Sequence, residues 1–157
     1  MITIVQRVGR ARVSVDDQVV GAIDRGLLLL VGVERGDTEA DAETTAKKVA
    51  AMRLFPSDRP MDRSITDIRG GCLVVSQFTL AADLRHGNRP DFTAAADPAV
   101  AAPLYERVAG ALAAAGLEVA TGRFGASMQV ELVNDGPVTV VLTVRSGKVV
   151  ARSRAQA

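Results

Sequence analysis

The sequence predicts one strand-rich domain of the α/β class, α+β-like in character: a mixed or antiparallel sheet, or a barrel-like layer, carrying two main helices. Three observations predict it. Apolar runs of strand length outnumber helical patterns and give the order β-β-β-α-β-α-β-β-β. The chain has 157 residues, the size of one domain rather than two. Hydrophobic residues make up 48% and charged residues 24%, the balance of a globular chain that can hold a core. The order does not fit a doubly wound nucleotide fold.

Ile2, Ile4, Val13 and Val15 alternate along residues 2–15, which read as a long strand. Asp16-Asp17 is a turn signal, and residues 18–23 return as a hairpin. Asp24-Arg25-Gly26 turns again. Leu27 to Val33 is a continuous apolar run, suited to a strand buried on both faces. Asp37 or Thr38 can cap a helix whose positive end carries Glu39 and Asp41. Ala42, Ala46, Val49 and Met52 give residues 38–54 a buried stripe, and Phe55-Pro56 stops the helix. Residues 56–71 read as a polar loop ending in Gly70-Gly71. Cys72 to Phe78 is the next strand.

Residues 80–97 form a long loop that clusters Arg85, His86, Gly87, Asn88, Arg89 and Pro90. Long loops in compact domains often carry function. Asp97-Pro98 caps a second helix, with Leu104, Val108 and Leu112 on its buried face and Gly116 at its end. Pro103 either kinks this helix or delays its start. Residues 117–121 and 127–134 are strands. Asn134-Asp135-Gly136-Pro137 is a turn, and Val138 to Val144 is the last strand. The domain is placed at 1–144, with a basic tail over 145–157.

Composition excludes several chemistries. One cysteine, Cys72, allows no intrachain disulfide and no thiolate cluster. Cys72 reads as a core residue, and the single histidine, His86, as a solvated loop residue. No metal and no cofactor are expected. Aromatics are 3% with no Trp, which argues against an aromatic platform for nucleic acid. Arg7 comes too early for a signal peptide, and no run approaches the roughly 20 apolar residues that span a bilayer. A cytoplasmic protein is expected. Net charge is +1, yet residues 145–157 hold four basic residues and no acid. The rest of the chain therefore carries 15 basic against 18 acidic residues. Bulk charge gives no generic affinity for nucleic acid, so any such contact must be local.

There is no phosphate loop with Lys-Ser/Thr, no G-x-G-x-x-G after a strand, and no G-x-S-x-G around Ser76. Two short segments stand out. Ser76-Gln77-Phe78-Thr79 ends a buried strand with an abrupt change to polar groups. Its hydroxyls, amide and free backbone N–H groups can hold a developing oxyanion; an ordinary strand end is the plainer reading. Gly136-Pro137 is where a cis peptide is expected. Its neighbouring carbonyls would then point together and could accept hydrogen bonds from an ammonium; an ordinary hairpin turn is the plainer reading.

With these motifs the chain resembles the D-aminoacyl-tRNA deacylases, also called D-tyrosyl-tRNA(Tyr) deacylases. The resemblance runs from Met1 to about Thr143. It includes Val5-Gln6-Arg7-Val8, Gly36-Asp37-Thr38, Ser76-Gln77-Phe78-Thr79-Leu80 and Arg89-Pro90 with Phe92. It continues through Phe124-Gly125-Ala126, Met128-Gln129-Val130 and Asn134-Asp135-Gly136-Pro137-Val138-Thr139. The two complete motifs override the plainer readings.

The resemblance implies an enzyme that hydrolyses the ester between a D-amino acid, or glycine, and the terminal adenosine of tRNA. It implies a homodimer with cross-subunit sites. Ser76, Gln77, Phe78 and Thr79 are the implied catalytic residues, with the amides near Phe78 and Thr79 holding the oxyanion. The ribose 2′-hydroxyl or, in an older view, Thr79 drives the chemistry. Gly136, Pro137, Val138 and Thr139 of the other subunit hold the α-amino group and exclude L side chains. Arg7 fixes that loop, and Phe124 and Met128 lie where the family binds adenosine. His86 stands where the family often has Lys in a phosphate-contact loop. The rivals are a deacylase of L-alanyl-mischarged tRNA on the same fold, a non-catalytic tRNA-binding module, and a Ser76/His86 hydrolase.

Overall fold

The computed structural model describes residues 1–150. Its spine is β1 (Ile2–Val15). The chain turns at Asp16 and Asp17, both at positive φ (50° and 61°), the two-residue turn that matches strand twist. It returns as β2 (Gln18–Ile23), paired with the second half of β1. β3 (Gly26–Gly32) pairs antiparallel with the first half. Next come α1 (Glu39–Ala51), the short pair β4 (Arg53–Phe55) and β5 (Arg63–Ser64), and a one-turn helix, α2 (Ile65–Ile68).

β6 (Gly71–Ser76) runs parallel to β3 and leads into a 3₁₀ turn, Phe78–Ala81. α3 (Pro98–Ala114) crosses to β7 (Glu118–Thr121), parallel to β6. β8 (Gln129–Arg145) runs antiparallel along β1, and β9 (Lys148–Val149) folds back on its end. The main sheet has the order β7-β6-β3-β1-β8-β9, with β2 beside β1.

The period of two along each strand divides the core. Val5, Leu27, Leu29, Cys72 and Val74 face the helices and pack with Ala46, Val49, Leu104, Val108 and Leu112. Leu28, Leu73 and Val75 face the other way and pack with Val8, Val13 and Ile23. A flat sheet would leave that second face bare. Curling brings β2 towards β6 and β7 and covers it. Leu27, Leu28 and Leu29 are fully buried in succession, each contributing about 2 kcal/mol by burial. The predicted class holds: one mixed α/β domain with a curled, strand-rich sheet.

Four local expectations are corrected, and the open position of Pro103 is settled. The first helix stops at Ala51, because Met52 is already extended (φ −64°, ψ 127°) and leads into β4. Residues 56–71 are not one polar loop: Ser64 and Asp67 form a capping box that starts α2 and buries Ile65. Pro103 lies inside α3, which begins at Pro98. Its exposed position puts the orphaned carbonyl of Ala99 within reach of water. Asn134-Asp135-Gly136-Pro137 does not reverse the chain; it bulges within the continuous β8. Basic residues Arg145 and Lys148 belong to the β8–β9 hairpin rather than to a tail, and residues 151–157 lie outside the described residues.

Candidate active site

β3 and β6 are parallel, so both present their carboxyl ends at one edge, the usual place for a crevice in a sheet of this kind. A cavity of about 670 Å³ opens there, lined mainly by apolar groups. The Gln77 N–H donates to Val31 C=O at 2.8 Å, the last rung before the strand breaks. Gln77 turns out of the sheet (φ −146°, ψ 76°), and the 3₁₀ turn makes its first bond from Leu80 N–H to Gln77 C=O. The N–H groups of Phe78 and Thr79 precede that bond, so the turn leaves both unpaired.

Gly32 makes the packing possible: a Cβ there would sit 2.9 Å from both Gln77 O and Leu80 Cβ. The Gln77 side-chain amide donates to Thr79 Oγ1 and so braces the turn. Ser76, Gln77 and Phe78 line the cavity, with Phe78 58% exposed at its mouth. Among the described residues, no hydrogen bond joins Ser76 to His86. That leaves the Ser76/His86 hydrolase without its base.

Phe124 and Met128 line the same cavity. The structure adds two aromatics that sequence reasoning gave no site role, Phe92 and Tyr105. Phe92 packs edge-on against Phe78, ring centroids 5.1 Å apart. Tyr105 packs against Phe124 at 5.9 Å, and its hydroxyl donates to Val74 C=O at 2.8 Å. Burial pushes the Tyr105 hydroxyl up to about 12, so it serves as a donor and not as a base. Its signal in the sequence was a polar-tipped ring next to Leu104 on a buried helix face, which needs a partner. The chain has five aromatic residues, and four of them meet at this cavity. The aromatic residues are few, but their placement is concentrated.

The other expected residues form a separate cluster. Asn134 pairs opposite Val8 and Thr139 opposite Gln6, so residues 135–138 bulge out against Arg7 alone. Arg7 is buried. Its Nη1 donates to Leu54 C=O at 2.6 Å, and its Nε to Asp135 C=O at 3.2 Å, with Asp135 Oδ2 at 3.0 Å. The Asn134 side chain donates to the carbonyls of Arg7 and Val138. Gln6 Nε2 donates to Thr139 Oγ1, and Val138 is buried in the helix-side core. The Gly136–Pro137 peptide is cis.

Register measures the gap between the clusters. Arg7, Leu27 and Cys72 lie on one level, and Thr3, Val31 and Ser76 on another. Four residues along the strands and three strand spacings across give about 19 Å. Within one chain, the Gly-Pro bulge and the cavity do not meet. Cys72, on the level of the bulge, is buried, and burial pushes its thiol up to about 12.

The sequence profile of the D-Tyr-tRNA(Tyr) deacylase family matches residues 4–143. A D-aminoacyl-tRNA deacylase of Roseiflexus castenholzii is 55% identical over 143 residues, covering 90% of this chain and 91% of that one. One of Ruegeria pomeroyi is 53% identical over 145 residues, covering 92% and 100%. Among solved structures, a c-Myc DNA Unwinding Element Binding Protein superposes with TM-score 0.87 at 36% identity, over 93% of this chain and 100% of its own. A probable eukaryotic D-amino acid tRNA deacylase shares the fold, with TM-score 0.75 at 17% identity, over 89% and 97%.

Proposed function

The chain belongs to the D-Tyr-tRNA(Tyr) deacylase family, and from that premise we propose how its residues hydrolyse D-aminoacyl-tRNA. The observation that carries the reading is the pair of amides, Phe78 and Thr79, left unpaired among the described residues in a turn whose Phe78 lines an aromatic-walled cavity. The terminal adenosine enters the cavity between Phe124 and Met128. Water adds to the ester carbonyl, and the two N–H groups take the developing oxyanion. The carbon–oxygen bond to the ribose breaks, and a proton passes to the departing 3′-oxygen. Among the described residues no side-chain base is hydrogen-bonded to Ser76 or Thr79, so the substrate's own 2′-hydroxyl orients the water. Gln77 braces the turn, and Ser76 beside it orients the substrate.

The chiral selector comes from a second copy of the chain. The separation of about 19 Å supports this, since one copy cannot bring its Gly136-Pro137 to its own cavity. The carbonyls of that bulge hold the substrate's α-ammonium and leave no room for an L side chain. Glycine, having none, is admitted. Arg7 holds the bulge in place.

The test compares D-Tyr-tRNA with L-Tyr-tRNA, using wild type, Phe78→Ala and Phe78→Pro. Position 78 begins the turn, where proline is tolerated, and Gln77 before it is outside the helical region that a following proline disfavours. Both variants lose the ring, and only Phe78→Pro also loses an N–H. Wild type is expected to clear the D-ester alone. Phe78→Pro is expected to fall about 10²-fold below Phe78→Ala, the scale of one lost oxyanion donor. Equal rates for the two variants would reject the amide mechanism. Turnover of L-Ala-tRNA instead, or binding without turnover, would reject the D-specific assignment.

A further inference from the structure

We infer that Arg35 is the phosphate anchor of this site, holding the 5′-phosphate of the nucleotide whose 3′-ester is cleaved. The inference rests on the deacylase reading and deepens it. Arg35 is the one cation lining the cavity among the described residues. Its backbone is fixed: its N–H donates to Ala94 C=O at 2.9 Å, and Glu34 beside it bridges to Ala95. Its Nε makes one long bond, 3.4 Å, to Ala95 C=O. Both terminal nitrogens have no hydrogen-bond partner among the described residues.

Arg7, Arg12, Arg85, Arg107 and Arg145 are each paired with a carboxylate. Arg35 has no such partner among the described residues. The one carboxylate lining the cavity, Asp97, already accepts the Ala99 N–H at 2.9 Å as the cap of α3. A guanidinium with free donors on apolar walls suits a phosphate, which it meets in a two-pronged geometry. The spacing also suits. Val31 receives the Gln77 N–H, and Arg35 lies four positions further on, at most about 14 Å of chain. A nucleotide with its aminoacyl group bridges such a gap, ester at the turn and phosphate at the arginine.

The experiment uses two small esters, 3′-O-D-tyrosyl-adenosine and its 5′-monophosphate, with wild type and Arg35→Gln. Wild type is expected to favour the phosphorylated ester about tenfold in kcat/KM, through KM, the scale of one charge-assisted contact. Arg35→Gln is expected to erase that preference while cleaving the unphosphorylated ester at the wild-type rate. With D-Tyr-tRNA, the same variant should flatten the log–log salt dependence by about one unit. Arg35→Lys should restore part of the preference. A wild type indifferent to the phosphate, or an Arg35→Gln variant that slows both esters equally, would overturn the assignment. A wild type inert towards D-Tyr-tRNA would instead defeat the deacylase reading itself.

Discussion

Gly136 stands at φ +116°, where L side chains are strained, and a Cβ there would lie 2.5 Å from Arg7 Nη2 and 3.0 Å from Val138 Cγ2. Arg7 cannot swing aside without breaking its 2.6 Å bond to Leu54 C=O, and Val138 is anchored in the core. The bulge itself must therefore move. Gly136→Ala is expected to keep the fold at a cost of about 1–2 kcal/mol. Deacylation of D-Tyr-tRNA should fall by about 10²-fold, the usual consequence of a misplacement near 1 Å. A melting curve and a single-substrate rate check both halves; an unchanged rate would remove the bulge from the mechanism. At this scale the sequence was partly legible. Gly136, Pro137 and Ser76 to Thr79 announced themselves as short motifs of special residue types. The Arg7–Leu54 bond did not, because its partner lies 47 positions away in β4 and only tertiary packing brings it near. Tyr105 and Phe92 escaped for the same reason: their value lies in meeting Phe124 and Phe78, and distance in sequence hides the meeting.

Elements were legible wherever a local rule set them. Alternation fixed β1, the Asp16-Asp17 turn fixed β2, and the doubly buried run fixed β3. The structure departs where tertiary pairing overrides a local signal. Asn134 to Pro137 carries every mark of a turn, yet β1 pairs on both sides of it and holds β8 straight. The start of α1 shows both influences. Thr38 donates its N–H and hydroxyl to Asp41 Oδ2, while Gly147 N–H, from the β8–β9 turn, donates to Oδ1. Burial raises the Asp41 carboxyl, but the bonds from Gly147 and Thr38 outweigh it and hold it below the ordinary carboxylate range. The proton is thus bound more tightly in the unfolded chain. The stabilisation from Asp41 is complete above the unfolded value of about 3.9 and drains as pH falls through the lower folded value. Asp41→Asn is expected to lower stability near neutral pH and to flatten the acid limb below about pH 4. Urea melts across pH 2–7 measure this; parallel curves for the two proteins would mean that Asp41 does not carry the linkage.

At the scale of the whole molecule, the fold separates two motifs that the proposed mechanism needs together. Ser76 to Thr79 close β6 at its carboxyl edge, and residues 135–138 bulge from β8 at the level of Cys72, about 19 Å away. A flexible linker could close such a gap, but both motifs are held by sheet pairing. On the proposed reading, a second copy related by a two-fold axis would close it without bending either, each copy then serving its partner. Such an arrangement makes complementation quantitative. Phe78→Pro damages the cavity half of a site, and Gly136→Ala damages the bulge half. When the two inactive variants are unfolded together and refolded in equal amounts, half of the dimers combine one of each. In each mixed dimer one site carries both lesions and the other carries neither. Activity should return to about a quarter of wild type, although neither variant alone is active. Sites built within single chains would give no recovery at any mixing ratio. Titrating the ratio separates the two cases further, since recovery from shared sites peaks at equal amounts and falls symmetrically to either side.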